Sequence, residues 1–340
     1  MERSGILRIS LFVFLLSFLF WSCDSEQKKK SPKPSTQQKA KKPTFTVERP
    51  PFSEDSAYAF IEQQLAFGPR VPNTEAHQKA ARYLSSKLSN YGFAVSEQKA
   101  KVKAFDGEQL NIVNIIGEYK AELNNRVLLF AHWDTRPFAD QDKKNKGKAI
   151  PGANDGGSGV GVLLEIARQL DTLKPSIGVD IIFFDAEDYG QPSSGMQKRQ
   201  SGTWCLGSQY WAKNPHKANY SANYGILLDM VGAKDAYFTK EAISLYYAPQ
   251  VVDHVWGIAK MLGHGNHFVF QETTHVGEDD HLYVNKIANI PSIDIIQYDP
   301  STMAFAPHWH THDDNIDIID KATLEAVGET VLATVLKEAK

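Results

Sequence analysis

The chain has 340 residues, of which 42% are hydrophobic and 23% charged, and a formal net charge of −3. That composition is globular and excludes a disordered chain, a collagen-like repeat and a polytopic membrane protein. Two cysteines, Cys23 and Cys205, are too few for a disulfide framework or a zinc site of four cysteines.

In chain order, Arg3 and Arg8 precede an apolar run from Ile9 to Trp21. The run is too short to span a bilayer comfortably and suits the apolar core of a signal peptide. It ends at Ser22-Cys23, which resembles a bacterial lipoprotein processing site. Residues 1–22 therefore read as a signal peptide and Cys23 as a lipidated mature N-terminus. The expected location is the periplasm or cell envelope, with the membrane as a partner through Cys23. Residues 23–51 hold seven lysines, several prolines and a Ser/Thr/Gln stretch, so they read as a disordered tether. The body beyond is acidic, which does not favour a phosphate backbone, so no nucleic-acid partner is expected.

Residues 52–340 read as one domain. Ser53 or Asp55 caps a first helix through Gln63 to Ala66, and Asn73 a second, with Ala76, Ala80, Ala81, Leu84 and Leu88 at helical spacing. His77 on that helix reads as a surface residue. Phe93 to Lys101 and Leu110 to Ile116 read as strands, and Arg126 to Ala131 as a short buried one. A helix follows over Gly156 to Leu170, a buried strand over Gly178 to Phe184 and a helix over Thr203 to Ala212. Tyr224 to Leu228 and Ser292 to Gln297 read as further buried strands, with a helix over Pro249 to Leu262 between them. Ala322 to Lys337 closes the chain as an amphipathic helix. Strands alternating with helices predict a three-layer α/β/α domain around a central, mostly parallel twisted sheet.

In open α/β sheets, ligands gather beyond the carboxyl ends of the strands. Each buried strand delivers acids or histidines there: His132 and Asp134, then Asp185, Glu187 and Asp188, then Asp229, and lastly a loop with His308, His310 and His312. Asp155 precedes the Gly156 helix, where it could equally cap it. Carboxylates and imidazoles converging without thiolates suit a catalytic zinc with an open position. Cys205 reads as a small buried residue. His281 follows Asp280, which it could orient, while His264, His267 and His275 form no ligand pattern.

These motifs carry a resemblance. Ala-His132-Trp-Asp134, Gly-Ala-Asn-Asp155-Gly-Gly-Ser-Gly, Phe-Phe-Asp-Ala-Glu187-Asp188, Leu-Leu-Asp229 and Trp309-His310-Thr-His-Asp-Asp look like the zinc aminopeptidase-like clan. Within it, Glu278-Asp279-Asp280-His281 and Trp309-His310-Thr resemble the animal-type glutaminyl-peptide cyclotransferases. The resemblance implies one zinc per chain on Asp155, Asp188 and His310, with Glu187 as proton shuttle and Asp279 beside it in a hydrogen-bond network with Asp229. It implies a substrate pocket walled by Trp309 and Phe305; Trp204 stands between pocket wall and core. Asp188 departs from the family, which carries Glu there. The implied activity is conversion of N-terminal glutamine of peptides or proteins to pyroglutamate with release of ammonia. Two other readings stand beside it: an aminopeptidase whose second zinc uses His132, Asp155 and Asp229, and a binding lipoprotein that keeps the fold without the chemistry.

Overall fold

Along the buried strands, successive side chains enter two different cores, as a strand's two-residue repeat requires. Val127, Leu129 and Ala131 face one core, Leu128 and Phe130 the other. Val179, Ile181 and Phe183 alternate in the same way with Ile182 and Phe184. The sheet is therefore covered on both faces. The computed structural model describes residues 47–192, 200–274 and 276–339. The predicted signal peptide, Cys23, most of the tether and His275 lie outside the described residues. The body runs from Thr46 to Lys340.

The elements follow in order: α1 (Glu54–Leu65), α2 (Glu75–Asn90), β1 (Ala94–Lys103), β2 (Gln109–Tyr119), β3 (Arg126–His132), α3 (Gly157–Leu173), β4 (Gly178–Phe184), α4 (Leu206–Lys213), β5 (Gly225–Asp229), β6 (Phe238–Glu241), α5 (Ala242–Tyr247), α6 (Pro249–Leu262), β7 (Phe268–Thr273), α7 (Asp280–Lys286), β8 (Ser292–Ile296) and α8 (Lys321–Glu338). The main sheet has the order β1-β2-β4-β3-β5-β8. Strands β4, β3, β5 and β8 run parallel, and β1 and β2 add an antiparallel edge. Helices α1, α2, α3, α6 and α8 build the larger core, through residues such as Ile61, Leu84, Leu163, Val255 and Val331. Trp211 of α4 and Val284 of α7 cover the other face. This is the expected three-layer arrangement. No helix among the described residues is long and apolar enough to cross a membrane.

Three local expectations are corrected. Thr74, not Asn73, caps α2, accepting a hydrogen bond from the His77 N–H. Asn73 instead takes a positive φ of 74° and accepts from the Asn111 N–H of β2. His77 is buried, not on the surface: Nε2 lies 2.8 Å from Asp185 and its ring stacks on Trp133 at 4.4 Å. The helix predicted from Thr203 begins at Leu206, because Cys205 adopts a left-handed φ of 57°. The β6–β7 pair and the short helices α5 and α7 carry no strong periodicity and were not expected.

Candidate metal centre and its pocket

The parallel strands end on one edge, and the chain turns sharply there. Asp229 is the last residue of β5, and Glu187 and Asp188 follow β4 after Ala186, whose φ is 52°. Met230, Cys205 and His310 also take left-handed φ values, of 49°, 57° and 55°. Non-glycine residues in that region cost about 1–3 kcal/mol each and persist where the surroundings dictate them. Gly156, with a φ of 81°, lets the chain pass close beneath His132. A Cβ there would sit 2.7 Å from the Asp134 carbonyl oxygen and 2.9 Å from His132 Cε1.

Two buried carboxylates brace the turns from behind. Asp134 accepts from the backbone N–H groups of Glu187 and Asp188 at 3.0 and 3.2 Å. Asp314 accepts from those of Asn154 and Asp155 at 2.7 and 3.1 Å. Burial pushes the Asp314 pKa up to about 8. Arg70, fully buried, donates to the carbonyls of Trp133, Pro151 and Gly152, so the loop before Asp155 is held from below.

On this frame Asp155, Asp188 and His310 converge, with one ligand atom of each within 4.8 Å of the others. His310 Nε2 stands 3.1 Å from Asp188 Oδ1 and 3.6 Å from Asp155 Oδ2. Asp155 Oδ2 and both Asp188 oxygens are buried and receive no hydrogen bond among the described residues. Buried carboxylate oxygens without a donor are costly, and a cation between them removes the cost. Two carboxylates and an imidazole are the donor set of a catalytic zinc with an open position, so the residues fit that ion. Burial raises the Asp188 pKa to about 6. Burial also pushes Asp155 upward, but His132 and His310 outweigh it and hold Asp155 low.

A second group lies alongside. His132 Nε2 is 3.0 Å from Asp155 Oδ1 and 3.1 Å from Asp229 Oδ1. Here His132 Nε2 and Asp229 Oδ1 share a hydrogen bond, while His132 Nδ1 has none among the described residues. Burial lifts Asp229 to about 7 against the pull of His132.

Glu187, Asp279 and Cys205 form a third buried cluster. The Cys205 thiol donates to Glu187 Oε1 at 3.2 Å. Burial, reinforced by the charges of Asp188, Asp279 and Asp280, raises the Glu187 pKa well above that of a free glutamate. The expected hydrogen bond between Asp279 and Asp229 is not formed: Asp229 pairs with His132, and Asp279 Oδ1 accepts from the backbone N–H of Asp280 at 2.5 Å. Asp294 lies in the middle of β8, and its pKa is driven far up by burial and by the Asp279 charge. His281 does not orient Asp280 but faces Glu241 at 3.2 Å and Asp294 at 3.8 Å.

The aromatic residues stack into a wall. His310 lies between Trp309, with ring centres 3.7 Å apart, and Trp204, at 5.8 Å and nearly parallel. Phe305 packs on Trp309 at 4.6 Å. Trp204, Phe305, Trp309, Asp155, Glu187, Asp229, Asp279 and His310 line one cavity of about 800 Å3, which continues past Met230 and Leu282 to the exposed Tyr246. Trp204 thus belongs to the pocket. His308 and His312 stay outside it, near Asn154 and Asp142.

Comparison with known proteins agrees with this geometry. Residues 114–335 match Peptidase family M28. The glutaminyl cyclase of Bacteroides thetaiotaomicron, solved bound to N-acetylhistamine, is 50% identical over 85% of this chain and 99% of that one, with a TM-score of 0.83. Aminopeptidase YwaD of Bacillus subtilis is 28% identical over 279 residues, 80% of this chain. The glutaminyl-peptide cyclotransferase of Gloydius blomhoffii is 25% identical over 252 residues, 66% of this chain. The match spans 54% of the aminopeptidase and 65% of the cyclotransferase. The profile match, the three-layer fold and the converging carboxylates and imidazoles establish that the chain belongs to Peptidase family M28.

Proposed function

We propose that the protein is a zinc-dependent glutaminyl-peptide cyclotransferase that closes N-terminal glutamine of peptides or proteins to pyroglutamate and releases ammonia. The observation that carries this reading is one donor-poor group, Asp155–Asp188–His310, beside a buried Glu187 under a wall of tryptophans. The likeness to a bacterial glutaminyl cyclase at 50% identity supports it.

Asp155, Asp188 and His310 would hold one zinc ion. Bound there, zinc supplies Lewis acidity to polarise the γ-carboxamide carbonyl of the substrate. Glu187 takes a proton from the α-amine as its nitrogen bonds to the γ-carboxamide carbon. It returns that proton to the amide nitrogen, which leaves as ammonia with no water consumed. Burial makes Glu187 a stronger base than a solvated carboxylate, which suits both transfers. Asp279, fixed by the Asp280 backbone N–H, supplies negative charge where the amine gains positive character. Trp204, Phe305 and Trp309 hold the glutamine side chain folded toward its own amine and exclude the water that would hydrolyse it.

The second reading is a two-zinc aminopeptidase using His132, Asp155 and Asp229. These three residues also converge, with one ligand atom of each within 4.8 Å of the others, so zinc stoichiometry discriminates between the readings. Ammonia release from a Gln-initiated dipeptide and leucine release from a Leu-initiated one, with zinc content on the same sample, separate the two. Ammonia, a lactam product and about one zinc are expected; leucine release with about two zincs overturns the cyclase reading.

The same reading takes the protein to be an exported bacterial lipoprotein, anchored at Cys23 and carried on a tether. Cells fed labelled palmitate should label the full chain and not the Cys23→Ser variant; equal labelling refutes the anchor.

A further inference from the structure

Behind the candidate zinc ligands lies a charged pair that the proposed reaction does not use. Arg136, in the loop after β3, is fully buried. Its Nε donates to Asp140 Oδ1 at 2.6 Å. Its Nη1 donates to the backbone carbonyl of Asp188 at 2.9 Å and to that of Gly190 at 3.3 Å, and stands 3.6 Å from Asp188 Oδ1. The guanidinium plane covers Trp204 at 4.6 Å. Asp140 Oδ1, held by Arg136, also faces His310 Nδ1 at 3.4 Å. One side chain thus touches the backbone of one candidate ligand, the carboxylate behind a second and the pocket wall.

A buried arginine is expensive to desolvate, and a single ion pair with Asp140 seldom recovers that cost. Its planar fork, however, can address several partners in fixed directions at once, which lysine cannot. A carboxylate on the outer nitrogen of a ligating histidine keeps the proton there and leaves the other nitrogen free for the metal. The charges also balance: two ligand carboxylates offset a divalent cation, and Asp140 offsets Arg136.

We propose that Arg136 and Asp140 form a positioning bracket that sets Asp188 and His310 for zinc and locks Trp204 against the imidazole. The bracket rests on the reading of Asp155, Asp188 and His310 as ligands. It makes metal affinity depend on two residues that touch neither metal nor substrate.

The test is the zinc dissociation constant of the full chain, measured by competition with a chromophoric chelator, with far-UV circular dichroism as the check on folding. Asp140→Asn keeps the shape and removes the charge; it should weaken zinc about 10–100-fold. Arg136→Lys loses the fork and should weaken it at least as much. The double variant should be little worse than Arg136→Lys, because the two act as one unit. Affinities within twofold of wild type in a folded Asp140→Asn, or losses that simply add, overturn the bracket. Should Arg136→Lys fail to fold, Asp140→Asn decides alone. A wild-type chain that takes up no zinc overturns the ligand assignment and the bracket with it. The expected affinity losses in a protein that releases no ammonia uphold the bracket and overturn the cyclase reading.

Discussion

Glu187 is buried against the Cys205 thiol and surrounded by Asp188, Asp279 and Asp280, so its carboxyl holds a proton far more tightly than a solvated glutamate. Glutamine at this position keeps the size and loses the titration. Glu187→Gln should retain zinc and lose about 10²–10⁴-fold in ammonia release. Retained turnover would remove Glu187 from the proton path; lost zinc would make it a ligand. Asp314 makes a different kind of contribution. Its two oxygens accept from the N–H groups of Asn154 and Asp155, and Asp314→Ala would strand both donors in a buried place. Each stranded group costs about 1–3 kcal/mol, so urea unfolding should show a loss of about 2–6 kcal/mol, together with weaker zinc binding. Asp155, Asp188, Glu187 and His310 were legible because each follows a strand or precedes a helix at the expected edge. Asp134 and Asp314 were visible as acids but not as braces, because their partners are backbone amides 53 or more positions away. Asp294 offered a clearer signal, an acid inside the apolar run Ser-Ile-Asp-Ile-Ile, where burial favours the neutral carboxyl.

At the scale of elements, α3 brings Asp155 to the sheet edge only if it packs tightly on β5. Gly159 permits this, since a Cβ there would overlap the Leu228 carbonyl oxygen and press on Ala131. Gly159→Ala should therefore destabilise by about 1–3 kcal/mol, read as a lower denaturant midpoint at unchanged slope. A midpoint equal to wild type would mean that α3 can move away from β5 freely. The elements read accurately from sequence, such as β4 and α6, carry their own apolar pattern and caps. Those missed, α5, α7, β6 and β7, are seven residues or fewer and draw their stability from tertiary contacts: Glu241 on His281, Ser244 on the Asp294 N–H, Asn285 on Ser292. His77 lies four, seven and eleven residues before Ala81, Leu84 and Leu88. That spacing puts it on the apolar stripe of α2, where it meets Asp185.

At the scale of the molecule, the donor-poor oxygens of Asp155 and Asp188 lie at the shared edge of four parallel strands, so metal occupancy and folding are linked. Chelation should lower the melting temperature, and added zinc should restore it in a concentration-dependent way; an unchanged melting temperature would separate the metal from the fold. A second linkage is to protons. Burial pulls the His77 pKa down, but Asp185 at 2.8 Å outweighs it and leaves His77 above free histidine. A raised folded pKa contributes stability that is full below about 6.5, the unfolded value, and disappears as pH climbs through the folded value. The urea midpoint of zinc-free protein should thus fall more steeply from pH 6 to pH 9 in wild type than in His77→Gln. Parallel slopes would show that the imidazole is neutral throughout.

The sequence by itself determined the α/β layering, the buried strands and the kind of chemistry, because these follow from local periodicity and from which residue types stand at strand ends. It also carried the order of the site motifs, and so the family. Only the tertiary structure decided which carboxylates meet. Asp229 pairs with His132 rather than Asp279, His77 turns inward to Asp185, and Arg136 reaches Asp188 and Asp140 while covering Trp204. Such pairings depend on distances of a few ångströms between residues far apart along the chain, and no local pattern encodes those distances.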